Sequence, residues 1–368
     1  MNNERLIETF LDLVKIDSPS KQEADVAAYC KAAFEAVGCS VVIDDTAKIT
    51  GSNTGNLIAT LEGTTGKTLM LSAHMDCVDP CIGVVPVITD GVIRSAGDTI
   101  LGSDDKVGIA AALETVRTLA ESGEPHATVR VVLTVQEEVG LFGAKSLDAG
   151  YLDCDLCLVL DGDGPVGQSI IGAPFHHTFT ATFTGVASHA GVAPEKGISA
   201  IKMAAEAIGN MTLGRIDEHT VANVGTITGG TADNVVPKTC TITGECRSLL
   251  QEGAQSAHDA LNKAMREAAG ATGGSVEVQW VVEYAGFFYE DTNPLVQIVK
   301  EASSTLGLAT STATSGGGSD ANVLAGKGVP ALVLSTGMSD VHAVTEHLAV
   351  SDLEDLGRLL IQIATTLK

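Results

Sequence analysis

The chain has 368 residues, with 22 Lys and Arg against 46 Asp and Glu, which gives a formal charge of −24 with histidine neutral. So acidic a chain lacks the basic face that releases counterions from phosphates, which excludes nucleic acid as the main partner and disfavours anionic membrane surfaces. A content of 45% hydrophobic and 18% charged residues supports a large core and excludes a disordered chain, and its length suggests two domains at about 150 residues each. Residues 4–37 carry helical periodicity in two stretches, broken at Ser18-Pro19-Ser20. Short apolar strands follow in NLIATLEG and TLMLSAHMD, then a turn-rich stretch, VVPVITDGVIRSAG, and a long helix opened by the polar turn GSDDK. TVRVVLTVQEE and LCLVLDGD read as buried strands, and their alternation with helices predicts an α/β fold with a mostly parallel sheet covered on both faces.

Near residue 174 the texture changes. FHHTFTATFTG, VANVGTITGG, KTCTITGECRS and SVEVQWVVEY alternate apolar with polar or small residues, as half-exposed strands do, and two helical segments lie among them. This predicts an inserted α+β domain over 174–287 and a discontinuous sheet domain over 1–173 and 288–368, completed by the strand VPALVLSTG and the helix SDLEDLGRLLIQIATTLK. The N-terminus has no signal-peptide core, and no segment approaches the roughly 20 apolar residues of a membrane span. The eight cysteines are scattered through apolar segments, as reduced thiols are, and together these features predict a cytoplasmic protein. Cys154 and Cys157 form a CxxC with no second pair, so they read as core residues, as do Cys77 and Cys81.

In an open parallel sheet the binding crevice lies beyond the carboxyl ends of the strands. There the sequence places His74 and Asp76, Glu137 and Glu138, and Asp161 and Asp163, with Asp104 and Asp105 before the long helix and His342, Glu346 and His347 after the last strand. So many carboxylates in one crevice repel one another unless cations neutralise them, and a His/Asp/Glu donor set favours zinc or a similar divalent ion. Two ions sharing one carboxylate would divide the load.

The order HxD, DDK, EE, D, H also resembles that of the M20 metallopeptidase family, and within it the peptidase T-like aminotripeptidase group. The resemblance is carried by SAHMDCV, LGSDDKVGIAA, VQEEVGLFGAK, VLDGD, FTGVASHAGVAPEKGISAI, GGTADNVVP, GECRS, SGGGSDAN and VHAVTEH, which run through essentially the whole chain. It implies a catalytic domain with two Zn2+ (Co2+ or Mn2+ as substitutes) and an inserted lid through which two chains dimerise. His74, Asp104, Glu138, Asp161 and His342 would hold the metals, with Asp104 bridging them, Asp105 as the capping neighbour, and His347 as the rival of His342. Asp76 would orient the ring of His74, and Glu137 would act as general base toward a zinc-activated water. His189 would donate a hydrogen bond to the oxyanion, in many relatives from the partner subunit. Asn234 would bind substrate backbone, Arg247 would grip a substrate carboxylate, and the glycine loop 316–322 would let the substrate approach. The implied activity is removal of the N-terminal residue from short peptides, tripeptides above all. The alternatives are a carboxypeptidase-like hydrolase or N-acyl amino acid deacylase, and an inactive binding protein of the same fold.

Overall fold

The computed structural model describes residues 1–367, which divide into two compact units. The first comprises Met1–Ile171, Tyr289–Ser315 and the chain from Ser319 onward. Its main sheet contains, side by side, Ser40–Ile43, Leu57–Leu61, Thr128–Thr134, Thr68–His74, Leu156–Gly162, Ala331–Ser335 and Gln168–Ala173, the last of which also pairs with Ser311–Thr314. The four strands from Thr128–Thr134 to Ala331–Ser335 are mutually parallel, whereas Leu57–Leu61 and Gln168–Ala173 add on antiparallel. The parallel strands are buried along nearly their whole length, which is why their sequences are unbroken apolar runs rather than alternating ones. Helices Asn3–Val14, Ser103–Ser122 and Val350–Thr366 pack together in this unit. The last of them buries Leu353, Leu356, Leu359, Leu360 and Ile363 at helical spacing, each worth about 1.5–3 kcal/mol in apolar burial.

The turn-rich stretch 86–95 of this unit folds as a hairpin that helps position the site. Pro86–Thr89 and Val92–Ser95 form a hairpin whose two turn residues, Asp90 and Gly91, both have positive φ, 51° and 76°, the geometry that Asp-Gly favours. The hairpin joins Met338–Ser339 and His347–Ala349 in a separate four-stranded antiparallel sheet. The loop between those last two strands carries His342 and Glu346.

The second unit comprises Gly172–Phe288 together with the short segment Gly316–Gly318. Its antiparallel sheet has the order Gly214–Arg215, Thr220–Gly229, Thr239–Ser248, Phe175–Thr184 and Ser275–Tyr284. Helices Ala200–Asn210 and Gln251–Thr272 pack against it through a core of Phe179, Ala181, Phe183, Ile242, Met203 and Met265. Thr178, Thr180 and Thr182 take the alternate positions of the same strand, so the period of 2 seen in the sequence is that of a sheet covered on one face.

Candidate metal centre

The parallel strands deliver the acidic and imidazole groups to one end of the sheet. His74 is the last residue of its strand and Asp161 the penultimate residue of the next, while Glu137 and Glu138 lie three and four residues beyond Thr134. Asp104 and Asp105 lead into the long helix with non-helical backbone, so regular helix begins after them. Asp104 lies between the two histidines: Oδ1 is 2.9 Å from His74 Nε2 and Oδ2 is 3.1 Å from His342 Nε2. Asp161 Oδ1 lies 3.8 Å from the same His74 nitrogen, and Glu138 Oε1 lies 3.1 Å from His342 Nε2. Three sets of donor atoms lie within 4.8 Å of one another: His74, Asp104 and Asp161; Asp104, Glu138 and His342; and His74, Glu137 and Glu138.

The electrostatics of these groups are those of crowded anions. Burial, and then the charge of Asp104, hold the Asp161 carboxyl well above the usual carboxylate range. Burial and Asp161 do the same to Glu137. Asp104 is driven the other way: burial alone would raise it, but the imidazoles of His342 and His74 hold it well below the usual value. His342 is pushed up to about 10 by its bonds to Asp104 and Glu138. Two imidazoles face four carboxylates, Asp104, Glu137, Glu138 and Asp161, so divalent cations that accept both nitrogen and oxygen donors suit the surplus negative charge. The donor set fits two such ions, His74, Asp104 and Asp161 around one and Asp104, Glu138 and His342 around the other.

The surrounding side chains explain why these groups hold still. Asp76, fully buried, accepts from the Glu137 N–H through Oδ1 at 3.0 Å and from the Glu138 N–H through Oδ2 at 3.3 Å, and Ser20 Oγ donates to Oδ2 at 2.6 Å. His74 Nδ1 lies closer to the Asp76 backbone carbonyl, 2.9 Å, than to its carboxylate, 3.5 Å. Asp76 therefore orients the His74 ring mainly through its main chain and spends its carboxylate on the segment bearing the two glutamates. Asp105 accepts from the Gly108 N–H and from the backbone N–H of His74, so it caps the helix and ties it to the strand. Only glycine fits at 108, where a Cβ would come within 2.8 Å of Leu160 on the strand that carries Asp161. His342 itself has φ of +63°, a left-handed conformation that a side-chain-bearing residue keeps only when its surroundings enforce it.

Glu346, which the sequence places at the crevice beside His342, supports the site from behind. Its buried carboxylate accepts from the Gly102 N–H at 2.7 Å, Ser103 Oγ at 2.6 Å and the Asp104 N–H at 3.0 Å, and so clamps the turn that presents Asp104. Glu346→Ala leaves these donors without an acceptor, at a cost of about 1–3 kcal/mol for each buried group left unpaired. The variant is expected to melt at lower temperature and to bind divalent metal about 10- to 100-fold more weakly, as measured by thermal unfolding and metal titration; unchanged metal affinity would contradict the clamp. His347, the rival of His342, faces elsewhere, with Nδ1 3.0 Å from the Thr345 carbonyl. Asp163 is exposed. All eight cysteines are free, and the Cys77 thiol donates to the Asp104 carbonyl at 3.5 Å from within a small apolar cluster with Cys81 and Ile100. Asp320, in the glycine-rich loop motif, was also missed: it is buried, accepts from Thr134 Oγ1 at 2.5 Å, and burial pushes its carboxyl up to about 6.

The remaining expected residues belong to the second unit. His189 and Asn234 are neighbours: His189 bridges to Val235 as in an antiparallel pair, and the Ala190 N–H donates to the Asn234 carbonyl at 2.9 Å. Both are exposed. Arg247 is engaged within its own unit. Its Nη2 lies 3.1 Å from Glu245 Oε2, which also takes His176 Nε2 at 2.7 Å, and its Nη1 donates to the Gly316 carbonyl at 3.1 Å. The fork expected to take a substrate carboxylate thus already holds an internal one.

Comparison with known proteins adds the family. The sequence profile of peptidase family M20/M25/M40 matches residues 70–366, four-fifths of the chain and every member of the cluster. The chain belongs to the M20 peptidase family. Among curated sequences it is 43% identical over 364 residues to the uncharacterized protein YqjE of Bacillus subtilis, covering 99% of this chain and 98% of that one. Among solved structures it superposes on the aminopeptidase PepT of Bacillus cereus with a TM-score of 0.95 at 41% identity, and on a tripeptidase of Staphylococcus aureus with a TM-score of 0.93 at 37% identity. Each comparison covers 99% of this chain and 98% of the other. This M20 peptidase is therefore of the peptidase T-like group, with the α/β fold of that group. Among the described residues no helix is long and apolar enough to cross a membrane.

Proposed function

We propose that this M20 peptidase is a two-metal exopeptidase that hydrolyses the peptide bond after the N-terminal residue of short peptides, tripeptides foremost. The observation that carries the reading is Asp104, whose two oxygens face two different histidines at 2.9 and 3.1 Å, as a carboxylate shared by two ions must. The likeness to an aminopeptidase PepT and a tripeptidase supports the substrate class. Two Zn2+ are the metals of this reading, with Co2+ or Mn2+ as substitutes, held by His74, Asp104, Asp161, Glu138 and His342. When bound, such ions polarise the scissile carbonyl and make a nearby water acidic enough to attack at neutral pH.

The chain's own groups do the rest. Glu137 is not needed to complete either set around Asp104, and its buried carboxylate takes the proton of the attacking water and returns it to the leaving amine. A raised proton affinity suits both halves of that task. His189 donates to the oxyanion, and Asn234 binds substrate backbone. Arg247 receives the C-terminal carboxylate of the peptide by exchanging its bond to Glu245 for one to the substrate. The reading places the enzyme in the cytoplasm as a homodimer formed through the second unit, whose outer strand Ser275–Tyr284 leaves Val281 and Val282 exposed at a sheet edge, an arrangement suited to pairing. Sedimentation reports that assembly directly.

The deciding experiment compares release of the N-terminal residue from an unblocked tripeptide with hydrolysis of an N-acyl amino acid. Turnover of the tripeptide is expected. Activity confined to blocked substrates makes the protein a deacylase or carboxypeptidase-like hydrolase, and inactivity on both after addition of zinc, cobalt or manganese makes it a binding protein.

A further inference from the structure

Strand Thr128–Thr134 ends just before the two glutamates, and the four backbone N–H groups that follow it find no strand to pair with. Each is taken by a side chain. Asn56 Oδ1 accepts from the Val135 N–H at 3.2 Å, Glu23 Oε1 from the Gln136 N–H at 3.1 Å, and Asp76 from the Glu137 and Glu138 N–H groups at 3.0 and 3.3 Å. All three side chains are buried. The carbonyls of the same segment are satisfied by the turn that follows, those of Val135, Gln136 and Glu137 accepting from the N–H groups of Gly143, Phe142 and Leu141. The middle of this cradle is under strain, because Gln136 has φ of +52°, a left-handed conformation costing about 1–3 kcal/mol in a residue with a side chain. It directly precedes Glu137.

Glu23 is an odd residue for its own surroundings. It is the N-cap of helix Ala24–Ala36 yet makes no capping bond there; the Ala24 N–H goes to Asn53 Oδ1 at 2.9 Å instead. Its carboxylate is fully buried, where a charge is costly, and its oxygens accept from the Lys21 N–H, Ser52 Oγ and, across 113 residues of chain, the Gln136 N–H. A Ser or Asp would start the helix more cheaply. What Glu23 adds is the reach to Gln136.

We infer that Glu23 is a positioning residue of the active site: by holding the Gln136 N–H it fixes the left-handed turn from which Glu137 and Glu138 project. This rests on Glu137 being the general base. Without the bond, Gln136 relaxes toward an ordinary conformation and the Glu137 carboxylate, which belongs to neither set around Asp104, loses its aim, while Asp104, Asp161, His74 and His342 are held by other elements and the Glu138 carboxylate stays anchored against His342 Nε2, 3.1 Å away. A displacement of about 1 Å at a base costs up to about 100-fold in rate.

The test uses the metal-loaded full chain and steady-state kinetics on a tripeptide, with metal content and thermal unfolding measured beside it. Glu23→Ala is expected to lower kcat about 10- to 100-fold with KM within about threefold of wild type and full metal content. Glu23→Gln keeps an oxygen that accepts from the Gln136 N–H and is expected to recover most of that loss. Full kcat in Glu23→Ala overturns the inference, as does a Glu23→Gln variant as slow as the alanine one, or a loss that follows metal content or melting temperature. Should the alanine variant not fold, Glu23→Asp, one methylene too short to reach, replaces it against Glu23→Gln with the same criteria. Wild-type protein inactive on every peptide and acylated substrate would instead sink the functional reading, a result distinct from normal kcat in an active variant.

Discussion

Glu137→Ala is expected to keep its metal and lose about 10²–10⁴-fold in kcat, the contribution of a positioned general base. Glu138→Ala is expected to lose metal first and activity in consequence. The two glutamates are adjacent in sequence, and Asp76 holds both their N–H groups, yet only Glu138 reaches His342, at 3.1 Å. Metal content by mass spectrometry beside steady-state kinetics separates them, and equal metal loss in both variants would reverse the assignment. The pH profile gives an independent sign. A base works only when deprotonated, so the wild-type rate should fall as pH drops through the proton affinity of Glu137, which burial and Asp161 hold above that of an ordinary glutamate. That acid limb should be missing from the residual activity of Glu137→Ala.

Asp104→Ala is expected to abolish binding of both ions, the largest effect of any single ligand change. Asp104 lies within 3.1 Å of both histidines and belongs to both sets around the two ions, whereas of the two histidines Asp161 shares a set with His74 alone and Glu138 makes its close contact with His342. Isothermal titration of Zn2+ into the chelator-treated variant should show no tight binding, with no tripeptide hydrolysis at any zinc concentration that leaves the protein in solution. One retained tight site would mean that Asp104 belongs to a single ion.

Much of this centre was legible because parallel strands with both faces covered read as unbroken apolar runs, and the polar residue that ends such a run must lie at the mouth of the sheet. His74, Asp161 and the Glu137-Glu138 pair are visible in this way. The antiparallel addition of Leu57–Leu61 was not, since a buried strand has the same apolar pattern whichever direction it runs. The hairpin at 86–95 hid behind its Pro and Gly residues, although Asp90-Gly91 is itself a hairpin signal. The groups that support the ligands left little trace. Glu23 and Glu346 act on backbone N–H groups far away in sequence, and no local spacing marks a carboxylate whose partner is an amide 113 or 244 residues away; the HxD spacing does mark Asp76, but not the bonds its carboxylate makes to the Glu137 and Glu138 N–H groups. Arg247 shows the converse: the motif GECRS marks it as a partner for a substrate carboxylate, yet the same motif carries its internal partner Glu245, two residues away on the same strand face.

Metal reconstitution followed by activity tests the proposed centre most directly. Protein stripped with chelator, then titrated with Zn2+ while tripeptide hydrolysis is followed, should be inactive at the start and reach full activity at two equivalents per chain. Full hydrolysis by the stripped protein, or saturation at one equivalent, would contradict a centre built around a carboxylate shared by two ions.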